Sequence, residues 1–167
     1  MHDEKPIRRE SSDEVNQKVE QIRASDYCRY VQGLAPFVRG KIVQQGRAGT
    51  SGFILRFTDG SWVASYLEKA ELRYEIGRTA IPEEVLAMIN SPTTGDGAEP
   101  LSVDLPYAGE PCNIAKEVSR CEGKQVVGLA YGADCFNFCF PQRRELETMI
   151  LPANDGRPAL RVFWEQW

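Results

Sequence analysis

The sequence predicts an α+β protein made of two tandem modules, each a helix followed by a four-stranded antiparallel meander. The first observation behind this is a gapless internal repeat. Gly40-Lys41-Ile42-Val43, Gly49 and Phe53-x-x-x-Phe57 recur 83 positions later as Gly123-Lys124-Gln125-Val126, Gly132 and Phe136-x-x-x-Phe140. These are Gly and Phe positions that fix turns and core faces, which is where a duplicated module would keep its identities. The second observation is periodicity: a helical stripe precedes each Gly-Lys pair and a period of two follows it. The third is a stretch between the halves, Ser91-Pro-Thr-Thr-Gly-Asp-Gly-Ala-Glu-Pro100, whose Gly, Pro and acids cannot supply a packed face.

The boundaries that follow are an N-terminal arm over 1–24, a first module over 25–80, a short helix and acidic linker over 81–111, and a second module over 112–167. Two halves with apolar faces would cover one another as the subunits of a homodimer do, about a pseudo-twofold axis. The alternative is a single all-β barrel or sandwich in which the repeat is coincidental.

Taken in order, Ser11-x-x-Glu14 has the form of a capping box, and Val15, Val19 and Ile22 follow at helical spacing. Tyr27, Tyr30, Val31 and Leu34 continue such a stripe up to Gly33 and Pro36, which should stop it. A strand is expected near Gly40 to Arg47. Phe53, Leu55 and Phe57 then alternate with Ile54 and Arg56, and Trp62, Ala64 and Tyr66 alternate with Ser61, Val63 and Ser65. Asp59-Gly60 between them suits a two-residue type I′ turn, which would pair Phe57 with Trp62 and Phe53 with Tyr66 on one core face. A fourth strand should run near Glu71 to Ile76. Pro82, Glu83 and Glu84 open a short helix through Ile89.

In the second half, Asn113, Ile114, Val118 and Cys121 mark a helix. Strands follow near Gln125 to Tyr131, Asp134 to Phe140, Glu145 to Leu151 and Ala159 to Glu165, with Asn154-Asp155-Gly156 turning the last hairpin. Keeping Leu146, Thr148 and Ile150 with the phenylalanines requires one extra loop residue here. Otherwise a one-residue slip would turn Glu145 and Glu147 into the core. Cys139 would then face Glu147, and Asn137 would face Met149.

The 167 residues are enough to bury about 70% of the unfolded surface, so folding needs neither metal nor disulfide. The composition, 42% apolar and 26% charged with a net charge of -4, is that of an ordinary globular chain. No apolar run reaches membrane-spanning length and the polar start lacks the pattern of a signal peptide, so a cytoplasmic protein without membrane partners is expected. Charge is uneven: residues 25–80 hold eight Lys or Arg against five acids, and residues 81–111 hold six acids and no base.

Five cysteines, Cys28, Cys112, Cys121, Cys135 and Cys139, raise the question of a zinc site. Cys135 and Cys139 lie four apart on a strand, roughly 13 Å at about 3.3 Å per residue. That is too far for one metal or one disulfide. Buried, reduced thiols are expected, with no metal and no cofactor.

The single histidine is His2, which removes the usual histidine-dependent triads, and no phosphate-binding, zincin or nucleophile-elbow motif occurs. No catalytic residue is assigned. An enzyme would have to use carboxylates or a thiol, and a carboxylate beside Cys139 raises the thiol's pKa rather than activating it. Nucleic-acid binding would rest on Arg39, Lys41, Arg47, Arg56, Arg73 and Arg78, but stacking requires exposed rings and the hairpin buries Phe53, Phe57, Trp62 and Tyr66. A non-catalytic binding or adaptor protein is therefore the first reading, its partner a protein or a small molecule, with the thiol or carboxylate enzyme and the nucleic-acid binder as alternatives. The closing Val162-Phe163-Trp164-Glu165-Gln166-Trp167 is apolar on both faces and suggests a homodimer through the last strand.

The face opposite the aromatic one is free to differ between copies. It carries Arg56, Ser61 and Ser65 in the first copy and Asn137, Cys139 and Glu147, with Cys135, in the second. If these faces met across the axis, Arg56 would offer a fixed positive fork and Asn137 a donor and acceptor to a small anionic or polar ligand or an acidic peptide.

Overall fold

The computed structural model describes residues 26–69, 71–90, 113–132, 135–152 and 158–167. The expected helix after Ser11, the linker, Cys112 and the Asn154-Asp155-Gly156 turn lie outside the described residues. The element order is α1 (Asp26–Gln32), α2 (Ala35–Val38), β1 (Val43–Ala48), β2 (Gly52–Phe57), β3 (Trp62–Glu68), β4 (Glu71–Gly77), α3 (Glu83–Ile89), α4 (Ile114–Ser119), β5 (Gly128–Tyr131), β6 (Phe136–Phe140), β7 (Arg144–Pro152) and β8 (Pro158–Gln166). The strands form two antiparallel sheets in sequential order, β1-β2-β3-β4 and β5-β6-β7-β8. The fold is α+β. Pro36 does not end the first helical stretch; it stands in the first turn of α2, where its missing N–H is not needed.

The first hairpin corrects the expected register. Its last pair is Phe57 with Ser61, and the loop is the three residues Thr58, Asp59 and Gly60, not two. Gly60 takes φ +88°, its N–H donates to the Phe57 carbonyl at 3.0 Å, and the Asp59 carboxylate accepts the Ser61 N–H at 2.9 Å. This is the three-residue turn that ends in a left-handed glycine. Phe53 therefore stands opposite Ser65, and Arg56 opposite Trp62. Both strands are apolar on both faces, so hydrophobic alternation leaves the register open and the Asp59 side chain decides it.

The second hairpin also turns through three residues, Pro141 to Arg143, with Gln142 and Arg143 at φ +65° and +58°. Leu146 and Thr148 do share a face with Phe138 and Phe136, as expected. The loop closes earlier than expected, however, so Cys139 faces Glu145 rather than Glu147, and Asn137 faces Glu147 rather than Met149. The spacing of 83 therefore runs through both hairpins without the extra step.

The phenylalanine faces of the two sheets pack on each other. Phe53 meets Phe138 edge-on at 6.2 Å, Tyr74 meets Phe136 at 6.3 Å, and one cluster joins Phe53, Leu55, Phe57, Val63 and Leu72 to Phe136, Phe138, Leu146 and Val162. Trp62 and Tyr66 are buried on the opposite face of the first sheet, with Ile54 and Ala64, under Val85 and Ile89 of α3. All four aromatic rings of this hairpin are buried, but on two faces instead of one.

The segments that precede β1 and β5 pair with each other. Ile42 bridges Gln125, the residue 83 positions on, in antiparallel sense. Gly40 N–H donates to Val126 O and Gly123 N–H to Val43 O, each at 2.7 Å; Val126 N–H donates to Lys41 O at 2.8 Å and Val43 N–H to Lys124 O at 2.9 Å. Exchanging the two segments maps each bond onto its counterpart. Gly40 and Gly123 both sit at positive φ, +84° and +80°, which explains why this position is glycine in both halves.

The helices cap the sheet edges. The Tyr30 hydroxyl of α1 accepts the Tyr74 N–H of β4 at 2.7 Å and donates to the Tyr74 carbonyl at 2.9 Å. Glu117 of α4 accepts the Trp164 N–H of β8 at 2.9 Å, and Glu122 just beyond it accepts the Gly46 N–H of β1 at 3.1 Å. A side chain at Gly46 would lie 2.6 Å from Val118, so its absence lets α4 approach β1. The last strand is not central in its sheet. β8 is an edge strand with Leu160 and Val162 in the core, Trp164 5.4 Å from Phe140, and Trp167 61% exposed. Among the described residues no helix is long and apolar enough to cross a membrane.

Candidate functional site

The six residues proposed as a site fall into three environments. Ser61 and Ser65 point to the inner face of the first sheet and are buried, because the one-residue register difference turns them inward. Ser61 accepts from Lys41 Nζ at 2.7 Å, and Lys41 is itself held 3.4 Å from Asp59 and 3.6 Å over the Phe37 ring. Ser65 lies opposite Phe53, and its hydroxyl has no hydrogen-bond partner among the described residues. Arg56 points outward from the first sheet. Asn137, Cys139 and Glu147 lie on the outer face of the second sheet, alternating with the buried phenylalanines. Because the phenylalanine faces meet, the two outer faces point away from each other, and Arg56 does not come together with Asn137.

Arg56 does have a setting of its own. A β-bulge between Val43 and Gln45 shifts the β1 register so that Gln45 stands opposite Arg56 and Arg47 opposite Ile54. The three polar side chains share one face. Beside them Ile81 and Leu86, from the approach to α3 and from α3 itself, raise an apolar wall over Ile54. The result is a groove of about 210 Å³ lined by Gln45, Arg47, Ile54, Arg56, Ile81 and Leu86. Arg56 is half-buried and Arg47 exposed, and neither makes a hydrogen bond or ion pair among the described residues. Other cations near this sheet are in use: Arg73 is paired with Glu71, and Lys41 with Asp59. The sequence singles out Arg47 only among the cations of a nucleic-acid surface, and Gln45 not at all. The Gln45-x-Arg47 alternation is visible in the sequence, but which face it occupies depends on the bulge.

The outer face of the second sheet is acidic. Glu145 accepts from the Asn137 amide at 3.2 Å and lies 3.5 Å from the Cys139 thiol. Burial and the Glu145 carboxylate push Cys139 up to about 11, and burial pushes Cys121 up to about 12. Both are protonated at neutral pH and neither is an activated nucleophile. Cys28 and Cys121 are buried as expected, whereas Cys135 and Cys139 are only half-buried. Among the described residues no three Cys, His or acidic side chains converge as metal ligands.

Glu147 is pushed up to about 7, first by burial and then by Glu165 and Glu145. Its folded pKa thus exceeds the ordinary value of 4.5, so the neutral form is the one that folding favours. The contribution is present below about pH 4.5 and lost as pH rises through about 7. Glu147→Gln is expected to raise unfolding stability at pH 8 by about 1 kcal/mol, a value discounted for the solvent that reaches this side chain, and to leave it unchanged at pH 4. Urea denaturation at the two pH values checks this; equal effects at both would rule out an ionisation penalty.

Comparison with protein families, with curated proteins and with solved structures finds no match to this chain.

Proposed function

We propose that this is a non-catalytic binding protein that holds an anionic ligand in the Arg47–Arg56 groove. The observation that carries this reading is a half-buried guanidinium, Arg56, that has no carboxylate or carbonyl partner among the described residues and lines a cavity. A structural arginine in such a position is normally paired, since an unpaired charge kept partly out of water is costly. A guanidinium fork with a second arginine and an amide beside it suits a carboxylate or another planar anion.

The two halves descend, in this reading, from one duplicated helix-plus-meander module. The reciprocal bonds about Ile42 and Gln125, and the equal loops of the two hairpins, support that origin. After duplication the corresponding outer faces diverged, one to arginines under α3 and one to glutamates.

The test is Arg56→Gln. Stability is expected to change by less than about 0.5 kcal/mol, since no native partner is lost. Butyrate, a minimal carboxylate probe, should shift the backbone amide resonances of residues 45–56 in the wild-type protein and not in the variant. A stability loss above about 2 kcal/mol would mark a structural ion pair instead, and unchanged butyrate shifts in the variant would remove Arg56 from the site.

A further inference from the structure

We infer that the ligand of this groove is a small carboxylate carrying an apolar arm. The inference rests on the reading of the groove as an anion site and adds the chemistry of the remainder of the ligand.

The groove joins two kinds of surface that a simple ligand cannot use together. On one side stand the Arg47 and Arg56 guanidiniums and the Gln45 amide, all donors with no described acceptor. On the other stand Ile54, Ile81 and Leu86. Ile54 is 5% exposed and forms the floor, held by its packing on Trp62 and Val85, while Leu86 is 41% exposed and stands at the rim. An inorganic anion would gain nothing from the wall, and a neutral hydrocarbon would leave the guanidiniums unused. A carboxylate with a hydrocarbon arm engages both, the head taking a charge-assisted hydrogen bond and the arm removing Leu86 and Ile81 from water.

Size narrows the class. The groove measures about 210 Å³. That lies below the range of roughly 300–1,000 Å³ typical of drug-sized and cofactor sites. The groove is too small for a nucleotide and suits a small carboxylate whose arm can extend over the apolar wall. Its open side leaves the arm half in water, so each methylene should tighten binding by roughly twofold rather than the roughly fourfold of full burial.

Orientation follows from the fold. Gln45 and Arg56 are directly opposed across β1 and β2, and Arg47 is opposed to Ile54 one step along the same face. The carboxylate therefore sits over the β1–β2 ladder, and the arm runs from it towards α3. The rigid part of the site is the sheet, and the adjustable part is the exposed Leu86 side chain.

The experiment is isothermal titration of the full chain at low salt with butyrate, octanoate and octylammonium. Octanoate is expected to bind at least tenfold tighter than butyrate, and octylammonium not to bind. Leu86→Ser, at an exposed helix position that tolerates the change, should weaken octanoate binding severalfold and weaken butyrate, whose arm is shorter, by less. Arg56→Gln should remove both. If butyrate and octanoate bind equally and Leu86→Ser changes neither, the apolar arm is overturned while the anion groove stands. If neither carboxylate binds, or Arg56→Gln changes nothing, the groove reading fails and this inference fails with it.

Discussion

Phe138→Ala is expected to lower the stability of the whole chain by about 4 kcal/mol, within the range seen when a large aromatic is removed from a packed core. Phe138 is fully buried on β6, lies 6.2 Å from Phe53 of the other sheet and 5.9 Å from Phe136. The space it leaves would be bounded by two sheets whose spacing is set by the remaining phenylalanines, so the cavity cannot close easily. Because the two halves share this one cluster, the loss should appear in a single cooperative transition. Chemical denaturation followed by tryptophan fluorescence and by far-ultraviolet circular dichroism should give coincident curves. Two separated transitions, with only the second half weakened, would show that the sheets fold on separate cores.

Val43→Pro and Val126→Pro should each cost about 4 kcal/mol, and by similar amounts. Each valine is fully buried, and each donates its N–H to a lysine carbonyl in the other half: Val43 to Lys124 and Val126 to Lys41. Proline removes the donor and leaves the lysine carbonyl without its bond, at about 1–3 kcal/mol, and it also loses the packing of the β-branched side chain. The equality is the informative part. The two positions are counterparts about the Ile42–Gln125 bridge, so a large difference between the two variants in urea denaturation would argue against a reciprocal junction.

Much of the architecture is legible in the sequence because glycine and phenylalanine report local geometry directly. Gly40 and Gly123 mark positive φ, and Phe53 and Phe136 mark the faces that meet in the core. Every expected strand after Gly40 is present within a few residues of its predicted ends. What could not be read was register. Trp62, Ala64 and Tyr66 alternate as cleanly as Val63, Ser65 and Leu67, and both sets prove buried. The choice between them goes with the three-residue turn, in which Gly60 takes positive φ and the Asp59 carboxylate accepts the Ser61 N–H.

That single residue of register accounts for most of what changed at the candidate site. It turned Ser61 and Ser65 into the core and left Arg56 outside with different neighbours. The β1 bulge then supplied those neighbours, Gln45 and Arg47. Bulges depend on how two strands settle against the rest of the fold, and the one local signal in Val43–Ala48, the isolated Gly46, equally fits the close approach of α4. The acidic character of the opposite outer face was legible, since Glu145 and Glu147 must alternate away from Leu146 and Thr148. The direction of the Cys139 shift was also foreseen, although Glu145 and not Glu147 is the carboxylate responsible.

The role of the Arg47–Arg56 groove is decided by where a carboxylate binds. A crystal structure of the protein grown with octanoate tests this most directly. The expected result is density for the ligand in the groove, its carboxylate within hydrogen-bonding distance of Arg56 and its arm against Ile81 and Leu86. Density confined to another part of the surface, with the Arg47 and Arg56 guanidiniums in contact with water alone, would contradict it.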